Sequence, residues 1–230
     1  MLAHFLLLVY VTGQHDHNFK IGEIEMKTRK TALIAFILSI SGAAQAEFSA
    51  NVGFVSEYYY RGIFQAESSA SGGVDFEEGG FYVGTWAADV KDGIEVDGYF
   101  GYGGETADGL GYSVGYTGYF YTGDFDDTYQ EINLGASFGI VAFDMAIGEY
   151  KNFDGPTQDY SFYSLTLENN GFYGTYGSFA QDFSGSYLET GYGTTVGEVD
   201  LGVTMIFNDE DLSGTTGSDQ ALIFSLGYSF

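Results

Sequence analysis

Period-two alternation of large apolar side chains with small or polar ones is the dominant pattern of this sequence. It is clearest at the C-terminal end, where the large side chains are Leu222, Phe224, Leu226, Tyr228 and Phe230. Such alternation predicts a β-strand with one apolar face. The alternating runs are each about ten residues long, which is the length that a tilted strand needs to cross the hydrocarbon core of a membrane.

Runs of this kind follow one another along the chain. They lie near residues 48–60, 68–77, 80–90, 94–104, 109–121, 129–138, 140–150, 159–168, 171–181, 186–195, 198–207 and 220–230. Residues 47–230 therefore predict an all-β fold, a closed antiparallel up-and-down transmembrane β-barrel of about 12 strands. Because these runs and their connections account for the whole region, no separate plug domain is expected.

The connections between the runs indicate which ends share a side of the membrane. If the first strand rises from the periplasm, the odd connections are external, and they include the longest and most acidic segments, 122–128 and 208–219. The even connections are mostly short and rich in Gly, as at Gly79 and Gly80. Long external loops and short periplasmic turns are typical of an outer-membrane barrel.

A soluble β-sandwich is the alternative for a sheet with one apolar face, because that face could pack against a second sheet. Three features favour lipid contact instead: the strand length, an aromatic final residue, and a content of 21 Phe and 20 Tyr suited to interfacial girdles. The 35 Gly residues also make helix an improbable bulk state.

Residues 26–46 have the three regions of a secretory signal peptide. Basic residues are followed by the apolar run 31–40 and then by Ala44 and Ala46, which predicts cleavage before Glu47. The apolar run is too short for a transmembrane helix, which needs about 20 residues. Residues 1–25 then lie upstream of a natural start at Met26, and we interpret them as a mis-start segment.

Charge and composition exclude several classes of function. The formal net charge of -25 disfavours a nucleic-acid partner. The chain has no Cys, and its His residues all lie before residue 26, so His-based catalysis, thiol nucleophiles and most transition-metal sites are not expected in the barrel. We therefore predict no catalytic residues, no metal and no cofactor.

The alternation also predicts which charged residues point into the barrel. The predicted interior set is Glu57, Arg61, Asp75, Glu95, Asp97, Glu131, Asp144, Glu189 and Asp200, with Asn51 and Asn133 as polar neighbours. Carboxylates that crowd a narrow lumen attract cations and repel anions, which predicts a cation-preferring ion pathway. The same residues could instead serve only to fill and rigidify the barrel. Arg61, the only Arg after residue 46, is expected to form a fork with one or two lumen carboxylates such as Glu57 or Asp75.

Two segments, 80–90 and 171–181, have aromatic side chains on both faces, and the sequence leaves their facing open. In the first of them Trp86 is interpreted as an interfacial anchor by default, with a role in the lumen as the alternative. A barrel of about 12 strands leaves a narrow lumen, so only small ions or small polar solutes are expected to pass.

Four segments in fixed order resemble the TorF family of porins. They are SEYYYRG at 56–62, GGVDF at 72–76, GFYVGTWA at 80–87 and EVDGYFGY at 95–102. The resemblance spans roughly 48–230, with a departure at Thr122, where the family pattern has Pro. It implies an outer-membrane β-barrel with a channel role, and it supplies no catalytic residues.

Together these patterns predict an exported protein of the outer membrane that lets small cationic or neutral solutes diffuse passively. The alternative is a closed barrel with a structural, adhesive or recognition role through its acidic external loops. Expected partners are outer-membrane lipids and lipopolysaccharide, and the barrel assembly machinery through the C-terminal strand. The sequence does not predict an oligomeric state.

Overall fold

The computed structural model describes residues 46–214 and 219–230, and almost all of them lie in β-strands or in the turns that join them. The strands are β1 (Glu47–Val55), β2 (Tyr58–Tyr60), β3 (Ile63–Ala66), β4 (Ser69–Glu78), β5 (Phe81–Val90), β6 (Gly93–Glu105), β7 (Gly111–Tyr121), β8 (Tyr129–Phe138), β9 (Val141–Tyr150), β10 (Gln158–Asn169), β11 (Phe172–Gln181), β12 (Ser186–Val196), β13 (Val199–Asn208) and β14 (Gln220–Ser229). One short helix, α1 (Glu210–Ser213), precedes the last strand. The predicted signal peptide and the segment before it lie outside the described residues, apart from Ala46.

Twelve of these strands form a closed antiparallel barrel in which each pairs with its neighbours in the wall. The barrel closes where β1 pairs with β14, with Asn51 opposite Ser229 and Phe54 opposite Leu226. The predicted fold class, a closed up-and-down antiparallel barrel of 12 strands, is therefore confirmed. Within the described ranges, no helix is long and apolar enough to cross a membrane.

The wall has an apolar outer face and a mixed inner face, as the period-two pattern requires. Large side chains stand exposed on the outside of nearly every strand, for example Phe100, Ile132 and Leu167. The C-terminal set Leu222, Phe224, Leu226, Tyr228 and Phe230 lies on this outer face, opposite the buried Ala221, Ile223 and Ser225. The core of the molecule is therefore the barrel interior.

The structure resolves the two strands whose facing the sequence left open. In β5, Phe81 and Val83 point outward, whereas Tyr82 and Trp86 are buried in the interior. The interpretation of Trp86 as an interfacial anchor is wrong, because its ring packs edge-on against Tyr58 inside the barrel.

The same alternation holds in β11. Phe172 and Tyr176 point outward, and Tyr173 and Phe179 are buried inside. Both faces of this strand are aromatic because the interior is packed with rings in addition to the outer face, so ring content alone could not distinguish them.

The first predicted strand, 48–60, is also wrong beyond its middle. The wall strand β1 ends at Val55, and residues 58–66 form the separate hairpin β2–β3. Its three consecutive Tyr residues break the alternation because the hairpin packs inside the barrel, where Tyr58 and Tyr59 are both buried although Phe64 is exposed. The prediction of no separate plug domain did not anticipate that this short connection itself folds into the lumen.

Candidate functional site in the barrel interior

The hairpin β2–β3 enters the barrel from the end that carries the longer connections. Arg61 and Gly62 form its two-residue turn with φ of 49° and 82°, and Tyr60 pairs with Ile63 across it. Positive φ at both central residues is the geometry of a type I′ turn, which favours Gly at the second position. The turn places the side chain of Arg61 at the tip of the hairpin.

Hydrogen bonds fasten the hairpin to separate parts of the wall. The side-chain amide of Asn208, at the end of β13, donates to the carbonyl of Gly62 at 2.6 Å. Tyr58 donates to Oε1 of Glu95 on β6 at 3.0 Å, and the backbone N–H of Lys91 donates to the carbonyl of Gln65 at 3.3 Å. Lys91 lies in the turn before β6, but Asn208 and Glu95 lie on strands that are far apart in the wall. The hairpin therefore spans the interior and does not line one side of it.

The central contact of the hairpin is a buried ion pair between Arg61 and Glu131 on β8. The two terminal nitrogens of the guanidinium donate to the two carboxylate oxygens at 2.7 and 2.8 Å. Glu131 belongs to the predicted interior set, so the expected fork to a lumen carboxylate is present. Glu57 and Asp75, the two examples given for that partner, are not the residues involved, because the inward fold of the hairpin carries Arg61 away from both. The fork geometry itself is as expected for an Arg–carboxylate pair.

Glu131 is further surrounded by neutral donors from the wall. Tyr119 and Asn133 donate to its Oε1 at 2.7 and 2.6 Å, and Tyr160 donates to its Oε2 at 2.8 Å. The guanidinium of Arg61 also lies 4.3 Å from the centre of the Phe162 ring. A buried charge is stable only when paired and hydrogen-bonded, and this carboxylate meets both conditions.

Glu95 and Asp97 are less well compensated than Glu131. They are neighbours on the inner face of β6, and their exposed fractions are 1% and 4%. Oε2 of Glu95 and Oδ1 of Asp97 are buried with no hydrogen-bond partner. Neither carboxylate forms an ion pair with a described residue.

The remaining predicted interior residues occupy the wall and are mostly held by hydroxyl groups. Asp75 accepts a hydrogen bond from Tyr99, Glu189 accepts one from Tyr173 at 2.8 Å, and Asp200 accepts one from Thr195 at 2.6 Å. Asp144 also faces inward, on β9, and Asn51 is buried on β1. Glu57 differs, because it lies in the bend between β1 and β2 and not on the wall.

The predicted residues thus fall into groups. Arg61, Glu95, Asp97 and Glu131 gather around the hairpin, near the strand ends that carry the long connections. Asp75 and Asp200 lie near the opposite, short-turn end. Sequence reasoning missed the phenols of Tyr58, Tyr119 and Tyr160, although their inward parity on the strands was an available signal for the last two.

A short cap covers the hairpin from the long-connection side. Asp209 begins α1 by accepting a hydrogen bond from the backbone N–H of Leu212 at 3.1 Å, and it also accepts from the N–H and hydroxyl of Ser186 at 2.6 and 2.8 Å. Burial alone would raise the pKa of Asp209, but these hydrogen bonds outweigh burial and hold the pKa below its usual value. The cap positions Leu212 beside Gly62.

The arrangement offers charge and hydrogen-bonding groups but no assembled metal centre. Among the described residues, no group of three or more carboxylate, imidazole or thiol side chains could hold a metal ion. What the interior can do chemically is attract and hold small positive charges, and Arg61 already satisfies one of the carboxylates.

A closed antiparallel barrel with an apolar exterior and a carboxylate-rich interior has the architecture of the transmembrane β-barrel class. Residues 40–229 match the family described as "Bacterial protein of unknown function (Gcw_chp)", and the chain belongs to this family. No curated protein matches the chain.

Several solved barrels are similar in structure at low sequence identity. The outer membrane protein OpdK from Pseudomonas aeruginosa has 12% identity and a TM-score of 0.38, over 72% of this chain and 57% of that one. OprD from the same organism has 10% identity and a TM-score of 0.40, over 80% and 66%. A BenF-like porin from Pseudomonas fluorescens Pf-5 has 12% and 0.39, over 76% and 58%. This chain therefore matches less than two thirds of the length of each.

Proposed function

We propose that the protein is an outer-membrane channel for passive diffusion of small cationic or neutral solutes, of the TorF type that its sequence resembles. The observation that carries this proposal is the division of the barrel into an apolar outside and an interior lined by carboxylates. A closed barrel leaves no unpaired strand edge, which is what a β-structure needs in order to stand in lipid.

The outer face supports the membrane location. Exposed apolar side chains run around the wall on successive strands, a larger apolar surface than soluble monomers tolerate. We propose outer-membrane lipids and lipopolysaccharide as the partners of this face. The C-terminal strand, with its apolar outer row, is proposed to be the segment that the barrel assembly machinery recognises.

Replacing Phe224 by Arg should test the lipid contact. Phe224 lies near the middle of β14 on the outer face, where a cation at the bilayer midplane costs about 2–4 kcal/mol. Gln220→Arg, at the end of the same strand, is the matched control, and its expected cost is about 0–1 kcal/mol. Urea unfolding from lipid vesicles gives both values. Equal, small costs for the two variants would argue against lipid at Phe224.

The interior supports the preference for positive charge. Within the described residues, Arg61 is the basic side chain of the interior, and Glu131 neutralises it. The other inward carboxylates have no cationic partner among those residues. A low-dielectric wall concentrates their field in the lumen, so cations are drawn in and anions are repelled.

Reversal potentials in planar bilayers test the proposal directly. With the purified protein between two KCl concentrations, we expect single-channel steps and a potential whose sign shows that K⁺ is more permeant than Cl⁻. A potential of the opposite sign would refute the cation preference while leaving a channel. The same measurement in potassium gluconate replaces Cl⁻ by a larger anion and keeps K⁺. A current that persists there is carried by K⁺, which shows that the pore is still open.

The hairpin favours a second candidate function, a closed barrel with a structural, adhesive or recognition role through its acidic external loops. The hairpin and the rings around it fill the interior at the long-connection end. Absence of single-channel steps from protein that is shown to be folded and inserted would favour this candidate over the channel.

A further inference from the structure

Glu95 and Asp97 stand apart from the other buried carboxylates of the barrel. Glu131 has a guanidinium and three neutral donors, and Glu189 and Asp200 each accept a hydrogen bond from a hydroxyl group. By contrast, Glu95 keeps one oxygen and Asp97 keeps one oxygen without any donor, although both residues are more than nine-tenths buried. The two side chains are two positions apart on one strand, so they project from the same face about 6–7 Å apart at the backbone.

Two buried carboxylates so close together cannot both stay charged without compensation. An unpaired buried charge costs several kcal/mol, and two like charges add their repulsion. No described basic side chain reaches them. The free oxygens therefore need either a proton or a cation from solution.

We propose that Glu95 Oε2 and Asp97 Oδ1 bind a partly hydrated alkali cation between the wall and the hairpin. Oxygen ligands with full negative charge suit a hard cation of this kind. Tyr58, which donates to the other oxygen of Glu95 at 3.0 Å, orients that carboxylate and connects the hairpin to the site. The proposal rests on the proposed channel function, because it identifies the place in the pathway where a permeating cation pauses.

The number of ligands favours a monovalent ion over a divalent one. No group of three or more metal-binding side chains exists among the described residues, so a divalent ion would lack the protein ligands that hold it tightly. A conducted ion must also leave its site, and conduction requires binding that is favourable but weak. A pair of carboxylates completed by water fits that requirement.

Thermal unfolding of the full protein in detergent micelles tests the site without any current measurement. We compare NaCl and KCl with N-methyl-D-glucamine chloride, whose cation is too large for the site, at equal ionic strength and one scan rate. We expect the alkali salts to raise the apparent Tm saturably, by about 3–6 °C at a roughly tenfold excess over Kd. Equal Tm values in all three salts would overturn the proposal, as would stabilisation by acid alone, which would show a shared proton.

The variant Glu95→Gln/Asp97→Asn should lose the response to alkali salts. The matched control is Glu189→Gln/Asp200→Asn, which removes the same charge from two buried carboxylates that already have hydroxyl donors. The control is expected to keep the response. If the Glu95 and Asp97 variant responds like the wild type, the site is elsewhere and the proposal fails. Should that variant not fold, Asp97→Asn alone and the wild-type comparison of salts carry the test.

The two proposals can fail separately. A protein that shows cation-dependent stability but no single-channel steps would keep the site and refute the channel. A protein that conducts cations but has the same Tm in every salt would keep the channel and refute the site.

Discussion

Replacing Arg61 by Gln is expected to lower the free energy of unfolding by about 3–5 kcal/mol. The substitution leaves the carboxylate of Glu131 charged in a place where its side chain has 0% exposure, and the neutral donors around it cannot supply the missing positive charge. Equilibrium unfolding in urea, monitored by Trp fluorescence, measures the loss. Trp86 is a suitable probe because it is the only Trp and packs against the hairpin.

The chain offers a matched control for this variant. Lys151 and Glu149 form an ion pair with the same 2.7 Å separation, but their side chains are 41% and 43% exposed. Lys151→Gln should therefore change stability by only about 0–1 kcal/mol.

The double variant Arg61→Gln/Glu131→Gln separates the pair from the packing around it. Removing both charges leaves no unpaired ion, so the double variant should be more stable than Arg61→Gln alone. If Arg61→Gln lowers the free energy of unfolding by no more than Lys151→Gln does, the buried pair is not what holds the hairpin in the barrel.

Removal of the hairpin should raise single-channel conductance severalfold. Val55 and Ser69 already lie opposite each other where β1 pairs with β4, so a short Gly-Ser turn in place of residues 57–67 can join the two strands without disturbing the wall. The interior then loses Tyr58, Tyr59 and Arg61 and admits water. In this variant the water also solvates Glu131, which has lost its guanidinium partner. Bilayer recordings of this variant and the wild type make the comparison.

Shortening of another long connection is the control for the hairpin experiment. Residues 152–156 are mostly exposed. The N–H of Gly155 donates to the carbonyl of Asn152 at 2.8 Å, and the N–H of Phe153 donates to the carboxylate of Asp127. Their removal should leave conductance unchanged. Equal conductance in the hairpin variant and the wild type would mean that ions do not pass the hairpin.

Much of the wall could be predicted because alternation is a local property: every strand of a closed barrel has one outer and one inner face. Eleven of the predicted runs match wall strands within a few residues. The inward parity of Glu95, Glu131, Glu189 and Asp200 follows from the same rule. Because a wall strand has one face outside and one face inside the barrel, the alternation of its residues predicts which side chains face inward.

The contents of the lumen could not be predicted in this way. Arg61 and Glu131 are 70 positions apart in the sequence. Their contact depends on the hairpin folding into the barrel, and no local sequence pattern predicts that direction. Trp86 was misread because an aromatic ring suits both a lipid interface and a packed interior. The departure from alternation at Tyr58, Tyr59 and Tyr60 was the one available sign that this segment is not part of the wall.

The enclosed hairpin constrains the order in which the molecule assembles. Its ends continue directly into β1 and β4, which are adjacent in the wall, whereas the groups that hold its tip come from β8 and β13. Strands so distant in the chain are expected to meet late, because contacts between them carry a large entropy cost of loop closure. We therefore expect the barrel to close around a hairpin that already points inward. A molecule that closed with the hairpin outside would have to reopen before it could reach the native state.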